Sequence, residues 1–225
     1  MISDELKEYI LINLEDLAKA FWETFQMVGI SFSLAVLFGV PIGLLLFATS
    51  KGLFFENKIV HKISGFFVNV IRSVPYVILL VLLLPFTQFL INTTIGPIAA
   101  SVSLSVAAIA FYARLVEGSL CEVDKGVIEA ATAYGASPLE LIKEVLLPEA
   151  LPGLIRGLTI TTISLIGFSA MAGIVGGGGV GDLAIRFGYY RYETDIMIIT
   201  VVLLIILVQI VQSIGDKAAI KADKK

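Results

Sequence analysis

Few residues of this 225-residue chain could carry out covalent or metal chemistry. Cys121 is the single cysteine, so an intrachain disulfide and a multi-cysteine metal motif are excluded, and we interpret Cys121 as inert. His61 is the single histidine and lies among Lys58 and Lys62, without partners for a metal or catalytic role. GxSxG and HExxH motifs are absent. The sequence therefore predicts that the chain is not an enzyme and holds no metal.

A run of glycines matches the pattern GxGxxG, which can bind the phosphates of a dinucleotide. The run comprises Gly176, Gly177, Gly178 and Gly179 and continues to Gly181. Dinucleotide binding requires a strand before the glycines, whereas this run follows a long apolar segment. A Walker A motif is also absent, so no cofactor is expected in this chain. We interpret the run as a flexible, tightly packed exit from a helix, where the backbone can bend or approach a neighbour.

A polar segment with the sequence EAATAYGASPLELIKEVLLP, residues 129–148, separates two long apolar segments. Asp124 can cap a first helix that continues to about Tyr134. Glu129 would lie in the early part of that helix, where the helix dipole favours a carboxylate. Gly135 would end the helix. Ala130, Ala131 and Ala133 have small side chains, so this part of the helix could insert into a cleft on another protein.

A second helix is predicted directly after this corner. Ser137, Pro138 and Glu140 form a capping box with proline at the first helical position. We expect this helix to continue towards the next apolar segment and Pro148 and Pro152 to bend the chain into it. The whole segment would then form a compact helix–turn–helix.

The composition indicates an integral membrane protein. Hydrophobic residues make up 57% and charged residues 16% of the chain, and its mean hydropathy is +0.94. The uncharged stretches reach the roughly 20 residues that a spanning helix needs. The longest one contains turn-forming residues at 92–97 and counts as two spans. An all-α fold with five spans is predicted, at about 22–49, 63–91, 95–115, 153–176 and 195–214.

The basic residues are distributed unequally between the two ends of the predicted spans. Eleven would lie on one side and four on the other. The larger set is Lys51, Lys58, Lys62, Arg114, Lys125, Lys143, Arg156, Lys217, Lys221, Lys224 and Lys225, and the smaller set is Lys7, Lys19, Arg186 and Arg191. Because basic residues favour the cytoplasmic side, we predict a cytoplasmic polar segment, an outside N-terminus and a cytoplasmic basic tail, residues 216–225.

The acidic, amphipathic start of the chain does not resemble a signal peptide. Leu6, Ile10, Leu14 and Leu17 recur at helical spacing, which favours a short helix at the membrane surface. An ordinary solvated leader with one apolar face is equally compatible. Residues 1–19 are therefore interpreted as an extracytoplasmic or interfacial segment.

Seven spaced positions of the polar segment resemble the EAA signature of permease subunits of ATP-binding-cassette (ABC) importers. They are Glu129, Ala130, Ala131, Gly135, Val145, Leu147 and Pro148. Val145 stands where isoleucine is usual, a change of one methylene. In that family the segment, here about 121–148, is a coupling loop that docks into a groove of a homodimeric cytoplasmic ABC ATPase. The resemblance implies that a separate ATPase subunit binds ATP and Mg.

Further segments are similar to the methionine-importer branch of the binding-protein-dependent transport family. These are residues 72–75 leading into YVILLVLLLPFT, residues 147–154, and residues 167–173 leading into the glycine run. The similarity covers roughly 20–215, which is interpreted as the transmembrane domain. Two positions depart from the branch: Asp124 replaces a usual proline, and Gln88 replaces a basic residue. Neither lies within the EAA signature.

This resemblance implies a type I ABC importer permease fold in the cytoplasmic membrane of a bacterium. Its partners would be the ATPase, an extracytoplasmic substrate-binding protein and the lipid bilayer, with no nucleic acid. A second copy of the chain is also expected, because five helices are few for a closed pathway in lipid. The implied function is import of methionine, in the L or D form or as derivatives, by alternating access. The alternatives are import of another amino acid or small nutrient, and a membrane scaffold that holds an ATPase without moving solute.

Candidate pathway or gate residues lie in the second and fourth spans and in the glycine run. They are Arg72, Ser73, Pro75, Phe168, Ser169, Met171, Gly176, Gly177, Gly178 and Gly179. Arg72 would lie about 15 Å deep if its span began after Lys62, where a charge is costly and usually functional. If the span began at Ser73, Arg72 would be an anchor at the headgroups. Ordinary helix packing is the alternative interpretation for the apolar and small members.

Two pairs of small residues, four positions apart, could allow close contact between helices. They are Gly39 with Gly43 in the first span and Ser169 with Gly173 in the fourth. Pro75 and Pro85 are expected to loosen the backbone hydrogen bonds of the second span, which makes it a candidate for lining the pathway or moving.

Overall fold

The computed structural model of the protein describes residues 14–223, which form helices and short connections without a strand among them. The helices, numbered in chain order, are α1 (Leu14–Ala48), α2 (Lys58–Ser73), α3 (Tyr76–Ile91), α4 (Pro97–Cys121), α5 (Lys125–Ala133), α6 (Pro138–Gly173), α7 (Gly179–Leu183) and α8 (Thr194–Ala222). The predicted all-α fold is confirmed. The predicted surface helix around Leu6 and Ile10 and the final lysines, Lys224 and Lys225, lie outside the described residues.

Four of these helices are long and apolar enough to cross a membrane: α1, α4, α6 and α8. The pair α2 and α3 passes the same test only together, and the two helices are bent by 110°. The described part of the chain therefore has four candidate spans, or up to five if the bent pair is one span. The helices α6 and α8 are longer than predicted, and α8 continues to Ala222 through Lys217 and Lys221 of the predicted tail.

The predicted second span, 63–91, is not one continuous helix. It begins earlier, at Lys58, and is broken between Ser73 and Tyr76. Pro75 has no N–H to donate, and its ring drives the preceding residue out of the helical region. Val74 is accordingly extended, with φ −86° and ψ 127°. The break replaces the loosened but continuous helix that the sequence indicated.

Pro148 and Pro152 do not end a helix, because both lie within the single 36-residue helix α6. A π-helical stretch over Leu141–Leu146 precedes Pro148. A comparable stretch over Ala35–Gly39 precedes Pro41 in α1. In a regular α-helix, a proline ring clashes with the carbonyl group one turn earlier. The π turn is wider and leaves room for the ring at this carbonyl, so the helix continues past the proline.

The described residues form two compact units. The first comprises residues 14–32, 75–106 and 163–210. Its core contains four buried residues from α1, α7 and α8, namely Ala20, Val180, Leu183 and Ile196. Two buried serines also join α1 to α4: Ser31 donates to the Ser101 carbonyl at 3.3 Å, and Ser105 donates to the Ser31 hydroxyl at 3.3 Å. These bonds satisfy polar groups that would be costly to leave unpaired in an apolar interior.

The second unit comprises residues 33–74, 107–162 and 211–223. Leu46, Val68 and Ala110 form a buried cluster between α1, α2 and α4. Gly39 and Gly43 lie against α4, where a Cβ atom on Gly43 would come within 2.6 Å of the Ala113 carbonyl oxygen. The predicted close contact at this pair is therefore confirmed, and it is made within one chain.

Candidate coupling site and pathway residues

The first helix of the polar segment, α5, has the predicted ends. The Asp124 carboxylate accepts a hydrogen bond from the Gly126 N–H at 2.6 Å and caps the helix. Gly135, with φ +84°, follows the last turn in the left-handed region that glycine adopts most readily. One detail is wrong: Glu129 is the fifth residue of α5, beyond the first turn, where the helix dipole no longer favours it.

The second helix, α6, begins with the predicted capping box. The Glu140 carboxylate accepts from the Ser137 hydroxyl at 2.7 Å and from the Ser137 N–H at 2.8 Å. In return, the Ser137 hydroxyl accepts from the Glu140 N–H at 3.4 Å. The hydroxyl bond, followed by the backbone bond, holds the pKa of the Glu140 carboxyl below its usual range. Pro138 occupies the first helical position, so the corner between α5 and α6 is well defined.

The seven EAA-type positions differ in exposure along this helix–turn–helix. No residue of α5 is buried, and Glu129, Ala130 and Gly135 are exposed. The later positions, Val145 and Leu147 among them, are half-buried. Large apolar side chains near the corner are also uncovered: the exposed fraction is 94% for Tyr134 and 61% for Leu139. A helix without a buried face is unusual unless a partner covers it.

An open groove of about 690 Å³ runs beside α5. One wall is the connection between α1 and α2, at Gly52, Leu53 and Phe54, and the other includes Glu129 and Leu141. The backbone of this connection is held by a hydrogen bond from the Gly52 N–H to the Glu56 carboxylate at 2.9 Å. The exposed segment is thus flanked by an ordered surface within the same unit.

The candidate residues around the second span lie at the break. Both span starts considered for Arg72, after Lys62 and at Ser73, lie within α2. Arg72 itself lies in the last turn of this helix, where the helix dipole favours a cation. Its guanidinium lies 5.8 Å from the centre of the Phe111 ring. The Ser73 hydroxyl donates to the Asn69 carbonyl at 2.7 Å, and both Ser73 and Pro75 are exposed.

The candidates of the fourth span divide into packed and exposed residues. Phe168 stacks on Tyr76 with ring centres 4.7 Å apart, and the Tyr76 hydroxyl lies 3.2 Å from the Ser103 hydroxyl. Ser169 is buried and donates to a carbonyl of its own helix, whereas Met171 is 42% exposed. The prediction had not included Tyr76, whose partners come from two distant segments.

The glycine run is tightly packed, as expected, and two side chains of α1 hold it in place. The Glu23 carboxylate accepts from the Gly179 N–H at 2.8 Å, and the Thr24 hydroxyl accepts from the Val180 N–H at 2.9 Å. Gly178 and Gly179 have φ of +75° and +90°, and a side chain on Gly178 would collide with Glu23. The sequence contained one signal for this role: Glu23 is a carboxylate inside a predicted span.

Gly176 and Gly177 secure the other end of the run. The Gly176 carbonyl accepts from the Gly96 N–H at 2.9 Å, and a Cβ atom on Gly177 would come within 3.0 Å of Ala100. The last residue of α6, Gly173, has the same constraint, since its Cβ would lie 2.6 Å from the Asp182 nitrogen. Close approach of neighbouring atoms thus requires glycine at Gly173 and Gly177, whereas Gly176 adopts φ +87°, a left-handed conformation that favours glycine.

The helix α7 is extended by a π-helical turn over Ala184–Tyr190. The sequence predicts only a connection between two spans in this region. Asp182 forms an ion pair with Arg186 at 2.8 Å. Burial raises the pKa of the Asp182 carboxyl, an effect that Arg186 opposes and the negative charge of Glu23 reinforces. Within residues 14–223, no group of three or more His, Cys, Asp or Glu side chains is arranged to hold a metal ion.

Spanning helices and an exposed helix–turn–helix together are typical of a membrane transport subunit. The chain belongs to the family of binding-protein-dependent transport system inner membrane components, whose model matches residues 35–220. The resemblance to permeases of ABC importers is thereby confirmed.

Individual relatives and a solved structure are similar to this chain over most of its length. The probable D-methionine transport system permease protein MetI of Vibrio cholerae is 45% identical over 225 residues, all of both chains. The methionine import system permease protein MetP of Bacillus subtilis is 47% identical over 214 residues, 95% of this chain and 96% of that one. A solved structure of the MetNI methionine ABC transporter in an inward-facing conformation superposes with a TM-score of 0.92 at 42% identity, over 94% and 98% of the two chains.

Proposed function

We propose that this chain is the permease subunit of an ATP-driven methionine importer in the cytoplasmic membrane of a bacterium. The main support is the combination of 45% identity over the full length of a relative named for D-methionine transport and a TM-score of 0.92 against MetNI. ATP and Mg would bind to a separate homodimeric ATPase, and an extracytoplasmic binding protein would deliver the ligand. Two copies of the chain would enclose the pathway.

The helix–turn–helix of α5 and the start of α6 is the proposed ATPase-docking element. Its exposed residues, from Glu129 to Gly135, would enter a groove of the ATPase, and Val145, Leu147 and Pro148 would support them from within the permease. The caps at Asp124 and Ser137 favour this role, because a segment that keeps its shape can transmit a displacement to the helices attached to it. ATP-driven closure of the partner could then bias the permease between outward and inward states.

In this proposal, the pathway candidates form two groups that differ in the exposure of their side chains. Arg72, Ser73 and Met171 are exposed within a single chain and are available to line a pathway shared by two copies. Phe168 and Ser169 pack within the first unit, so they would shape the wall from behind. Methionine would need an apolar surface tolerant of sulfur, with a few polar groups for its charged ends.

Uptake by reconstituted vesicles tests the function. The purified permease, its ATPase and its binding protein are assembled in lipid vesicles with radiolabelled methionine. We expect accumulation that requires both ATP and the binding protein and that unlabelled methionine abolishes. Accumulation of a different amino acid would favour the same architecture with another cargo. If no solute in a broad screen accumulated, the scaffold alternative would replace the transporter.

A further inference from the structure

The Arg114 side chain of α4 joins α4 to α2 within the second unit. Its Nε and Nη2 atoms donate to the Asn69 side-chain oxygen at 3.3 and 3.0 Å. Its Nη1 atom donates to Glu117, one turn further along α4, and forms an ion pair with it. The side chains of Arg114 and Glu117 are 29% and 13% exposed. All three guanidinium nitrogens therefore have partners, and one of these partners belongs to another helix.

In a second contact between the same helices, the arginine belongs to α2 and its partner belongs to α4. Arg72, in the last turn of α2, places its guanidinium 5.8 Å from the centre of the Phe111 ring on α4. A cation at this distance over a ring face is attracted by the negative charge density of the ring. Both helices also contribute to the buried cluster of Leu46, Val68 and Ala110. The C-terminal half of α2 is thus held on α4 by apolar packing together with two arginine contacts.

Helix packing alone does not account for the polar set. Removing an ion pair from water is costly, and apolar side chains of similar volume often stabilise a structure as well or better. The set does supply a preferred position, because Arg114 keeps all its partners only when Asn69 lies opposite it. If α2 slid or rotated along α4, the Arg114 guanidinium would lose its hydrogen bonds to Asn69. Two packed helices held in one favoured register can move together as part of a switching transition.

Along the chain, these residues lie close to the helix α5 on one side and to the break at Pro75 on the other. Arg114 lies near the end of α4, which stops at Cys121, shortly before Asp124 caps the docking helix α5. Asn69 and Arg72 lie in the last turns of α2, which stops at Ser73, directly before the break at Pro75. A displacement of α5 reaches α4 through three residues of chain, and the Arg114–Asn69 contact joins α4 to the end of α2.

We propose that Arg114 and Asn69 form a positioning latch that transmits the displacement of the ATPase-docking helix to the end of α2 at the break. The latch rests on the proposed transport function, in which ATP binding moves the docking helix. Arg114 touches no solute in this role; it acts through Asn69. Weakening the latch should separate ATP hydrolysis from transport rather than reduce both.

Two substitutions of Asn69 distinguish the latch from ordinary packing. Asn69→Leu keeps the approximate size but removes the acceptor, whereas Asn69→Asp keeps an acceptor for the guanidinium. Ser64→Ala on the same helix is the matched control, because the Ser64 hydroxyl donates to the carbonyls of Val60 and His61, both in α2, and to no other helix among residues 14–223. The readout is methionine accumulated per ATP hydrolysed in vesicles. We expect this ratio to fall about tenfold in Asn69→Leu and to stay near wild type in Asn69→Asp and Ser64→Ala.

Equal losses of uptake and ATP hydrolysis in Asn69→Leu, or an unchanged ratio, would overturn the latch. Amide hydrogen exchange of residues 66–73 in the detergent-solubilised complex provides a readout that needs no cargo. We expect faster exchange in Asn69→Leu than in Asn69→Asp, and identical exchange would also contradict the proposal. If the wild-type complex accumulates no solute, the proposed function fails, while the exchange measurement still decides whether the contact holds α2.

Discussion

Gly43 shows how one residue can set the distance between two helices. A Cβ atom there would lie 2.6 Å from the Ala113 carbonyl oxygen and 2.6 Å from the Val116 Cβ, both on α4. The first of these is a backbone atom and cannot turn aside. Gly29, on the same helix α1, has no neighbouring atom within 4 Å of its would-be Cβ. The two glycines therefore differ in the space available to a Cβ atom.

Gly43→Ala is expected to destabilise the protein, and Gly29→Ala is the control. Overpacking at Gly43 should cost about 1–3 kcal/mol. Alanine at Gly29 should be neutral or favourable by about 0.5–1 kcal/mol, because it restricts the unfolded backbone and suits a helix. The measurement is the thermal unfolding midpoint of each purified variant in the same detergent. Equal midpoints for the two variants would show that α1 and α4 can separate to admit a methyl group.

Glu23 illustrates a different kind of residue-level control. Its carboxylate bonds to the Gly179 N–H, 156 positions away, in the glycine run that begins after α6. The neighbouring glycines must adopt positive φ and leave room for it. The composition of the run indicated close approach of the backbone, but the partner became apparent only from the structure. A single carboxylate in an apolar helix thus gives a turn a defined shape.

Among the elements, the corner between α5 and α6 depends most on local sequence. Gly135 has φ +84°, and its N–H donates to the Thr132 carbonyl at 3.0 Å. No atom lies within 4 Å of the position of a Cβ atom at this residue. A substitution at Gly135 therefore acts through backbone conformation and not through a steric clash.

Gly135→Pro is expected to uncouple transport, and Gly135→Asn is its matched control. Proline removes the N–H and requires φ near −65°, so the corner must reorganise at a cost of about 3 kcal/mol. Asparagine tolerates the left-handed region and keeps the hydrogen bond. We expect roughly a hundredfold loss of ATP-dependent uptake in Gly135→Pro, since about 1.4 kcal/mol corresponds to a factor of ten, with ATP hydrolysis retained. Comparable uptake by both variants would refute a role for the shape of the corner.

The prolines show why element boundaries were harder to predict than elements. Pro75 ends a helix, whereas Pro85 and Pro152 lie inside helices. A proline removes one hydrogen bond wherever it occurs, and the outcome depends on whether neighbouring helices compensate. The sequence indicated loosening at Pro75 and Pro85 alike. Tertiary packing decides which of them becomes a 110° break.

At the scale of the whole molecule, the distribution of basic residues predicts the orientation of the chain in the bilayer. The docking helix–turn–helix would be cytoplasmic, and the turn after α7 would be outside. Two exposed residues can report on these sides: Leu139 is 61% exposed near the corner, and Tyr190 is 66% exposed in the turn. Cys121 is the only native thiol, so a cysteine-free background requires one substitution.

Labelling with a membrane-impermeant thiol reagent tests the orientation. In a Cys121→Ser background, Leu139→Cys should react only in inside-out vesicles, and Tyr190→Cys only in right-side-out vesicles. The charge difference across the bilayer is the physical reason for this expectation. The Cys121→Ser background alone is the control for unspecific reaction. The opposite pattern would reverse the predicted topology and place the docking segment outside.

Features that depend on residues close together in the chain follow from the amino-acid sequence alone. Asp124 and Gly126, or Ser137 and Glu140, are near enough for their hydrogen bonds to form whenever the helix starts there, so the caps and the corner were predicted correctly. The apolar composition determined the membrane class in the same direct way. The tertiary structure was needed to reveal the break at Pro75, the hydrogen bond from the glycine run to Glu23 and the contact of Arg114 with Asn69. Those two contacts join residues 156 and 45 positions apart, and such pairs depend on how helices pack, which local spacing does not encode.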